Sequence, residues 1–369
     1  MGVAQRIPDA AHAPTLQKLI EALVQFNASD LHIKTGRPPL FRINGKLVPA
    51  KSEPLTAEVV EKMLLGLLSH RQRKELDQKL QVDLSFRLSE LGRFRCNIFH
   101  QRNTLSAAIR MIPFQIPRLE DLGVPAVLRE LVQRPNGIVL VTGATGMGKS
   151  TTLAAAVQYL NETQPIHVLT IEDPIEFVYR DMRASVTQRE LGTDAVSLHE
   201  ALYAGLRQDP DVVVVGEMRD YETMRVALTA AETGHLVLST LHTMDARGTI
   251  ERIIDMVPAA AQNQIRLQLA STLVGVVSQQ LVVRADKKGR ALAAEVLVNS
   301  PAIEEAILTN DLNRVSELIS TSSHYYQMQT MDQALFKLCQ AQIITPAEAI
   351  KSSASPGELT QLLSGIVRG

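Results

Sequence analysis

The sequence predicts an α/β protein, with a small α+β domain over residues 1–112, a linker at 113–118 and an α/β domain over 119–369 that ends in helices. Three observations carry that prediction. The pattern Gly143-Ala144-Thr145-Gly146-Met147-Gly148-Lys149-Ser150 follows an apolar run and opens a helical stretch, which is the context of a phosphate-binding loop. Beyond it, short apolar runs alternate with helical segments. Before it, Pro113, Pro117, Gly123 and Pro125 interrupt regular structure, and the hydrophobic period differs on the two sides.

Along the first domain, Leu16, Leu19, Ile20, Leu23 and Val24 recur at helical spacing. Leu31–Ile33, Pro39–Ile43 and Lys46–Val48 are extended runs, with Asn44-Gly45 as a two-residue hairpin signal. Residues 53–79 read as helical and charged, and Val82–Leu88, Arg93–Gln101 and Leu105–Ile112 as strands. In the second domain Gly137–Thr142, His167–Ile171, Val212–Val215 and Leu236–Leu241 are almost wholly apolar, as expected of parallel strands covered on both faces. Helices over Thr151–Leu160, Leu198–Arg207 and Asp220–Thr233 separate them. Gln280–Arg284 and Ala291–Val298 flank Asp286-Lys287-Lys288-Gly289 as a hairpin, and the last part of the chain is helical.

Composition narrows the function classes. With 369 residues and 45% hydrophobic ones, the chain can bury a large core. A net charge of -1 and 4% aromatics argue against a nucleic-acid motor, which needs a basic groove and stacking platforms. Met1–Pro14 lacks the order of a signal peptide, and no apolar run reaches the roughly 20 residues that span a bilayer, so the expected location is cytoplasmic. Cys96 and Cys339 are too few for a four-thiolate zinc site and are expected to pack.

The chemistry follows from charge. Glycines let the loop amides of Thr145, Gly146, Met147, Gly148 and Thr151 face phosphate, the helix end adds its positive pole, Lys149 neutralises phosphate oxygens and Ser150 can ligate Mg²⁺. Asp211–Glu217 has the form of an apolar strand delivering a carboxylate, Glu217, to hold the metal or orient water. Glu172-Asp173-Pro174-Ile175-Glu176 ends another strand, and either Glu172 or Glu176 can act as general base. His235 and His242 bracket the strand Leu236–Leu241, where a histidine can sense the terminal phosphate. Arg95, Arg110, Arg207 and Arg219 are candidates to neutralise phosphoryl charge.

The runs Thr142–Thr152, Thr170–Phe177, Arg207–Asp220 and Ala230–Thr243 resemble, in order and spacing, the Walker A, Asp, Walker B and His boxes of secretion-superfamily hexameric ATPases. Within these the chain is most similar to the type IV pilus retraction ATPases, the PilT-like twitching motility family. The resemblance covers nearly the whole chain, including Ser29–Ile33 and Gly92–Arg95. It implies a PAS-like first domain, a RecA-like second domain, ATP and Mg²⁺ as ligands, and a homohexamer working on an inner-membrane platform protein from the cytoplasmic side. By position, it implies that Glu176 is the catalytic glutamate, that Glu217 is the Walker B carboxylate, and that Arg95 and Arg110 reach nucleotide. Lack of a four-cysteine insertion favours the retraction branch. There are departures: Ala144 and Met147 stand where the family has Pro and Ser, Tyr203 where it has Arg, and Glu304 and Leu308 replace two arginines in a helix associated with retraction. Those last two keep open an assembly or secretion ATPase, or an accessory paralogue.

Overall fold

The computed structural model describes residues 15–43, 45–88, 91–112 and 115–365. The Met1–Pro14 start, Asn44 of the expected turn and Pro113 of the expected linker lie outside them. The chain divides into two compact units, Met1–Gln115 and Ile116–Gly369.

In the first unit α1 (Leu16–Gln25) leads into β1 (Asp30–Lys34), β2 (Leu40–Ile43), β3 (Lys46–Pro49), α2 (Ala57–Leu65), α3 (His70–Lys79), β4 (Gln81–Leu88), β5 (Gly92–Gln101) and β6 (Thr104–Ile112). The strands form one antiparallel sheet, ordered β3-β2-β1-β6-β5-β4. Strand alternation sets its faces: Phe94, Cys96 and Ile98 point into the core while Arg95 between them is exposed. Burial pushes the Cys96 thiol up to about 12, which leaves it an unreactive packing group. The single helical stretch expected over 53–79 is two helices. Ser69 and Gln72 close a capping box that starts α3 anew after Gly66 ends α2.

The second unit contains α4 (Val127–Leu131), β7 (Gly137–Thr142), α5 (Lys149–Thr163), β8 (His167–Glu172), β9 (Ser185–Glu190), α6 (Leu198–Gly205), β10 (Val212–Val215), α7 (Tyr221–Glu232), β11 (Leu236–Leu241), α8 (Ala246–Asp255) and α9 (Gln262–Thr272). It continues with β12 (Leu273–Val283), β13 (Arg290–Val298), α10 (Pro301–Leu308), α11 (Leu312–Thr321), α12 (Met331–Gln340), α13 (Pro346–Ser352) and α14 (Pro356–Leu363). Strand order is β13-β12-β7-β11-β10-β8-β9, parallel throughout except for β13. Every residue of β7, β10 and β11 is buried, because helices cover both faces. β12 begins seven residues before the expected Gln280 and runs for 11. Among the described residues no helix is long and apolar enough to cross a membrane.

The register aligns the strand ends. Thr142 pairs with Leu241, and Val215 with both Ser239 and Ile171. The segments that follow β7, β8, β10 and β11 therefore emerge along one edge of the sheet, where ligands of such folds bind.

Candidate active site

The loop after β7 is shaped by backbone geometry that only glycine supports. Gly143 has φ 141° and lies so close to β12 that a Cβ would stand 2.4 Å from the Gln279 carbonyl oxygen. Gly148 caps α5 with φ 85°, in the left-handed region. Lys149, the first residue of α5, donates from Nζ to the carbonyls of Gly143 at 2.8 Å and Ala144 at 3.1 Å. Burial lowers the pKa of its ammonium, opposed by the charges of Glu217 and Glu176. Ser150 and Thr151 follow in the first turn, half-buried, and Thr145 is exposed at the loop tip. An α-helix N-terminus with this lysine is an anion site.

Glu217 follows β10 and is gripped on both oxygens. Arg219 Nη2 lies 2.9 Å from Oε2, and His242 Nε2 lies 3.1 Å from Oε1. Burial alone would raise its carboxyl, but the Arg219 hydrogen bond and the His242 and Arg219 charges hold it below its ordinary value. His242 Nδ1 faces Lys149 Nζ at 3.4 Å and Thr145 Oγ1 at 3.5 Å. An ammonium cannot accept, so Nδ1 is the acceptor and Nε2 carries the hydrogen toward Glu217. His242 thus connects the loop to the carboxylate strand.

The two glutamates after β8 are in different surroundings. Glu172 is enclosed: Thr170 Oγ1 donates to it at 2.6 Å, Gln188 Nε2 at 3.2 Å and the Glu176 amide at 3.4 Å. Burial, together with the Glu176 charge, nevertheless raises its pKa against those bonds. Glu176 is exposed, and its charge is felt by Lys149.

Four sequence candidates belong to other elements of the chain. His235 precedes β11, its carbonyl accepts from the Gly137 amide at 3.1 Å, and its Nδ1 lies 3.1 Å from the Ala230 carbonyl oxygen. The six strand residues of β7 put roughly 20 Å between that edge and the loop. A parallel strand separates its two flanking residues by its own length, so His235 and His242 of one chain stand at opposite edges of the sheet. Arg207 likewise precedes β10, and its guanidinium lies 5.3 Å from the Tyr203 ring centroid. Arg95 and Arg110 are opposite each other on β5 and β6 of the first unit. Arg110 Nε donates to Asp30 at 2.8 Å, and Arg95 lies 4.0 Å from Asp83.

Sequence reasoning missed the brace formed by β12 and β13. Ser278 bonds Thr142 at 2.8 Å, and Gln279 bonds Thr152 at 2.8 Å, all four being buried. Leu281 donates its amide to the Met147 sulfur at 3.2 Å, and Arg290 Nη1 donates to the Gly146 carbonyl at 3.3 Å. The signal available was two polar residues, Ser278 and Gln279, inside an apolar strand.

Residues 7–342 match the type II/IV secretion system protein family. The chain belongs to this family. It is 43% identical over 320 residues to a twitching motility protein of Neisseria gonorrhoeae, covering 87% of this chain and 85% of that one. It is 40% identical over 341 residues to the type IV pilus retraction ATPase PilT of Pseudomonas aeruginosa, covering 92% and 98%. The crystal structure of the pilus retraction motor PilT with bound ADP superposes with a TM-score of 0.88 at 43% identity, over 94% of this chain and 99% of that one. The mixed α/β architecture is thus the architecture of this family.

Magnesium fits the donors present. Among the described residues no group of three His, Cys, Asp or Glu side chains forms a metal cage. A phosphate-borne Mg²⁺ needs only one or two protein oxygens, which the Ser150 hydroxyl and the Glu217 carboxylate can supply.

Proposed function

We propose that this protein is a Mg²⁺-dependent ATPase that hydrolyses ATP to ADP and phosphate and drives type IV pilus retraction. It works as a homohexamer at the inner face of the cytoplasmic membrane, against an inner-membrane platform protein. The observation that carries this is the meeting of Lys149, Glu217, His242 and the Glu172–Glu176 turn at one sheet edge, in a chain 40% identical to a retraction ATPase.

Lys149 leaves the Gly143 and Ala144 carbonyls for the β and γ phosphates, while the loop amides and the α5 N-terminus hold the remaining oxygens. Bound Mg²⁺, held by Ser150 and Glu217, supplies charge neutralisation across those phosphates. Glu176, exposed beside the loop, takes the proton of the attacking water. Glu172 already accepts three hydrogen bonds and positions the turn instead. His242 reads the terminal phosphate and passes its loss to Glu217. Arg95 and Arg110, on the PAS-like first unit, complete the site from a neighbouring copy.

Purified protein should hydrolyse ATP, and Lys149→Ala and Glu217→Ala should each lose at least about a hundredfold in turnover. Unchanged turnover in both overturns the ATPase reading. Deletion of the gene should abolish twitching, restored by the wild type and not by Lys149→Ala. A second reading, an accessory or assembly ATPase, has its own support on α10. Ile303, Ala306 and Ile307 are buried there, while Glu304 and Leu308 occupy the positions of the family's arginines. Undiminished retraction in the deletion strain selects it.

A further inference from the structure

Glu295 is a half-buried acid with no part in the chemistry above. It lies on β13 opposite Ser278 of β12, the residue that bonds Thr142 at the foot of the phosphate loop. Its Oε1 accepts the amide of Ala246, the first residue of α8, at 2.8 Å. The Met331 amide, first of α12, faces the same carboxylate. Beside it, Gln329 and Val296 exchange backbone hydrogen bonds of 2.8 and 3.2 Å. One acid therefore stands at two helix N-termini that belong to distant parts of the sequence, and burial outweighs the pull of those N-termini on its charge.

What α8 begins from gives this joint its consequence. Only His242, Thr243, Met244 and Asp245 separate the last residue of β11 from Ala246. That short turn is held at one end by the strand and at the other by Glu295. Within it, Thr243 Oγ1 bonds Thr249 at 2.6 Å and Asp245 caps α8 through Gly248 at 2.6 Å. His242, which bridges Lys149 and Glu217, opens this turn. Two further acids, Asp245 capping α8 and Asp332 on α12, face Glu295 and add to the effect of burial on its carboxyl. An acid so placed is costly unless its bonds are used.

We propose that Glu295 is a positioning residue that holds the His242 turn in place and couples the nucleotide site to the C-terminal helices through α12. The proposal rests on the ATPase reading of the site. The helices that follow β13 then sense nucleotide through one joint: displacement of His242 on phosphate loss shifts Ala246, and Glu295 transmits that shift to Met331.

The test compares wild type with Glu295→Ala, Glu295→Gln, His242→Ala and the double variant Glu295→Ala/His242→Ala. Steady-state ATP kinetics, ADP binding and amide exchange are measured on the full chain. Glu295→Ala should lower kcat about tenfold while KM and ADP affinity move less than about threefold, since the loop itself is untouched. Glu295→Gln, which keeps an acceptor oxygen, should recover most of that loss. In the Glu295→Ala background, His242→Ala should add less than about threefold, because the two residues act as one unit. Exchange at both Ala246 and Met331 should rise about tenfold or more in Glu295→Ala. Multiplying kinetic effects, exchange raised at only one of the two amides, or a glutamine variant no better than alanine overturns the proposal. Should Glu295→Ala fail to fold, Glu295→Asp replaces it: a loss of about threefold or more in kcat with unchanged ADP affinity is expected, and unchanged kcat overturns the proposal. Absence of turnover in the wild type would instead overturn the ATPase reading, while exchange at Ala246 and Met331 still decides whether Glu295 joins the two helices.

Discussion

At the edge where β7, β8, β10 and β11 end, Lys149, His242, Glu217 and Arg219 each lie within about 3.5 Å of the next in an unbroken chain of polar contacts. At the edge where the same strands begin, His167, Asp211, His235 and Arg207 have comparable chemistry and spend it on structure. The His167 amide donates to Asp211 at 2.8 Å, His235 is bound to the Ala230 carbonyl, and Arg207 stacks on Tyr203. The difference comes from the parallel sheet. All its strands end together, α5 turns its positive end toward that edge, and the glycine loop bares amides there. The beginning of each strand receives a helix C-terminus instead, which has no use for an anion. Residue type alone does not distinguish the edges.

Three experiments break or sharpen that contrast. The largest effect is expected within the ending edge itself. Glu176→Gln should lose about a thousandfold in kcat with ATP still bound, whereas Glu172→Gln should lose about tenfold, as befits an acid that positions the turn. Equal losses, read by steady-state kinetics beside ADP binding, would erase the distinction between the exposed and the enclosed glutamate.

The next concerns Glu295, whose carboxyl burial pushes up from 4.5 to about 7. The folded state binds that proton more tightly than the unfolded one. The contribution is therefore fully present below pH 4.5 and is lost as pH rises through about 7, a change of roughly 3 kcal/mol. Denaturant titrations of Glu295→Gln should show a flatter stability profile over that window and a gain above it. A profile parallel to wild type would refute the assignment.

The smallest effect tests the edges directly. His242→Ala should weaken binding of ATP about tenfold, and His235→Ala less than threefold, when a fluorescent, non-hydrolysable ATP analogue is titrated against each variant. An equal loss breaks the comparison, since the beginning edge of a neighbouring copy would then be completing the site.

Much of this was legible before any coordinates. The loop 143–150 announces its strand and helix because glycine, lysine and serine recur at a spacing that phosphate geometry demands. The all-valine run at 212–215 reads as a central strand because nothing in it faces water. What failed to show was of another kind. β9 is a mixed, half-buried edge strand and carries no clean period. The break between α2 and α3 depends on a capping box inside a charged stretch. In the loop, Ala144 and Met147 looked interchangeable, yet the Met147 sulfur is held by the Leu281 amide, 134 residues away in sequence.

By itself the sequence determined which residues are candidates to handle phosphate and metal, because those demands are local: a few amides, a lysine, a hydroxyl, an acid after a buried strand. It also determined that Glu172 and Glu176 share a turn. Only the tertiary structure decided that Glu172 is enclosed while Glu176 is open, that His242 and not His235 meets Lys149 in the same chain, and that Glu295 joins α8 to α12. Those facts depend on strand order and register, and hydrophobic patterning specifies that a strand is buried without specifying which neighbour it is buried against.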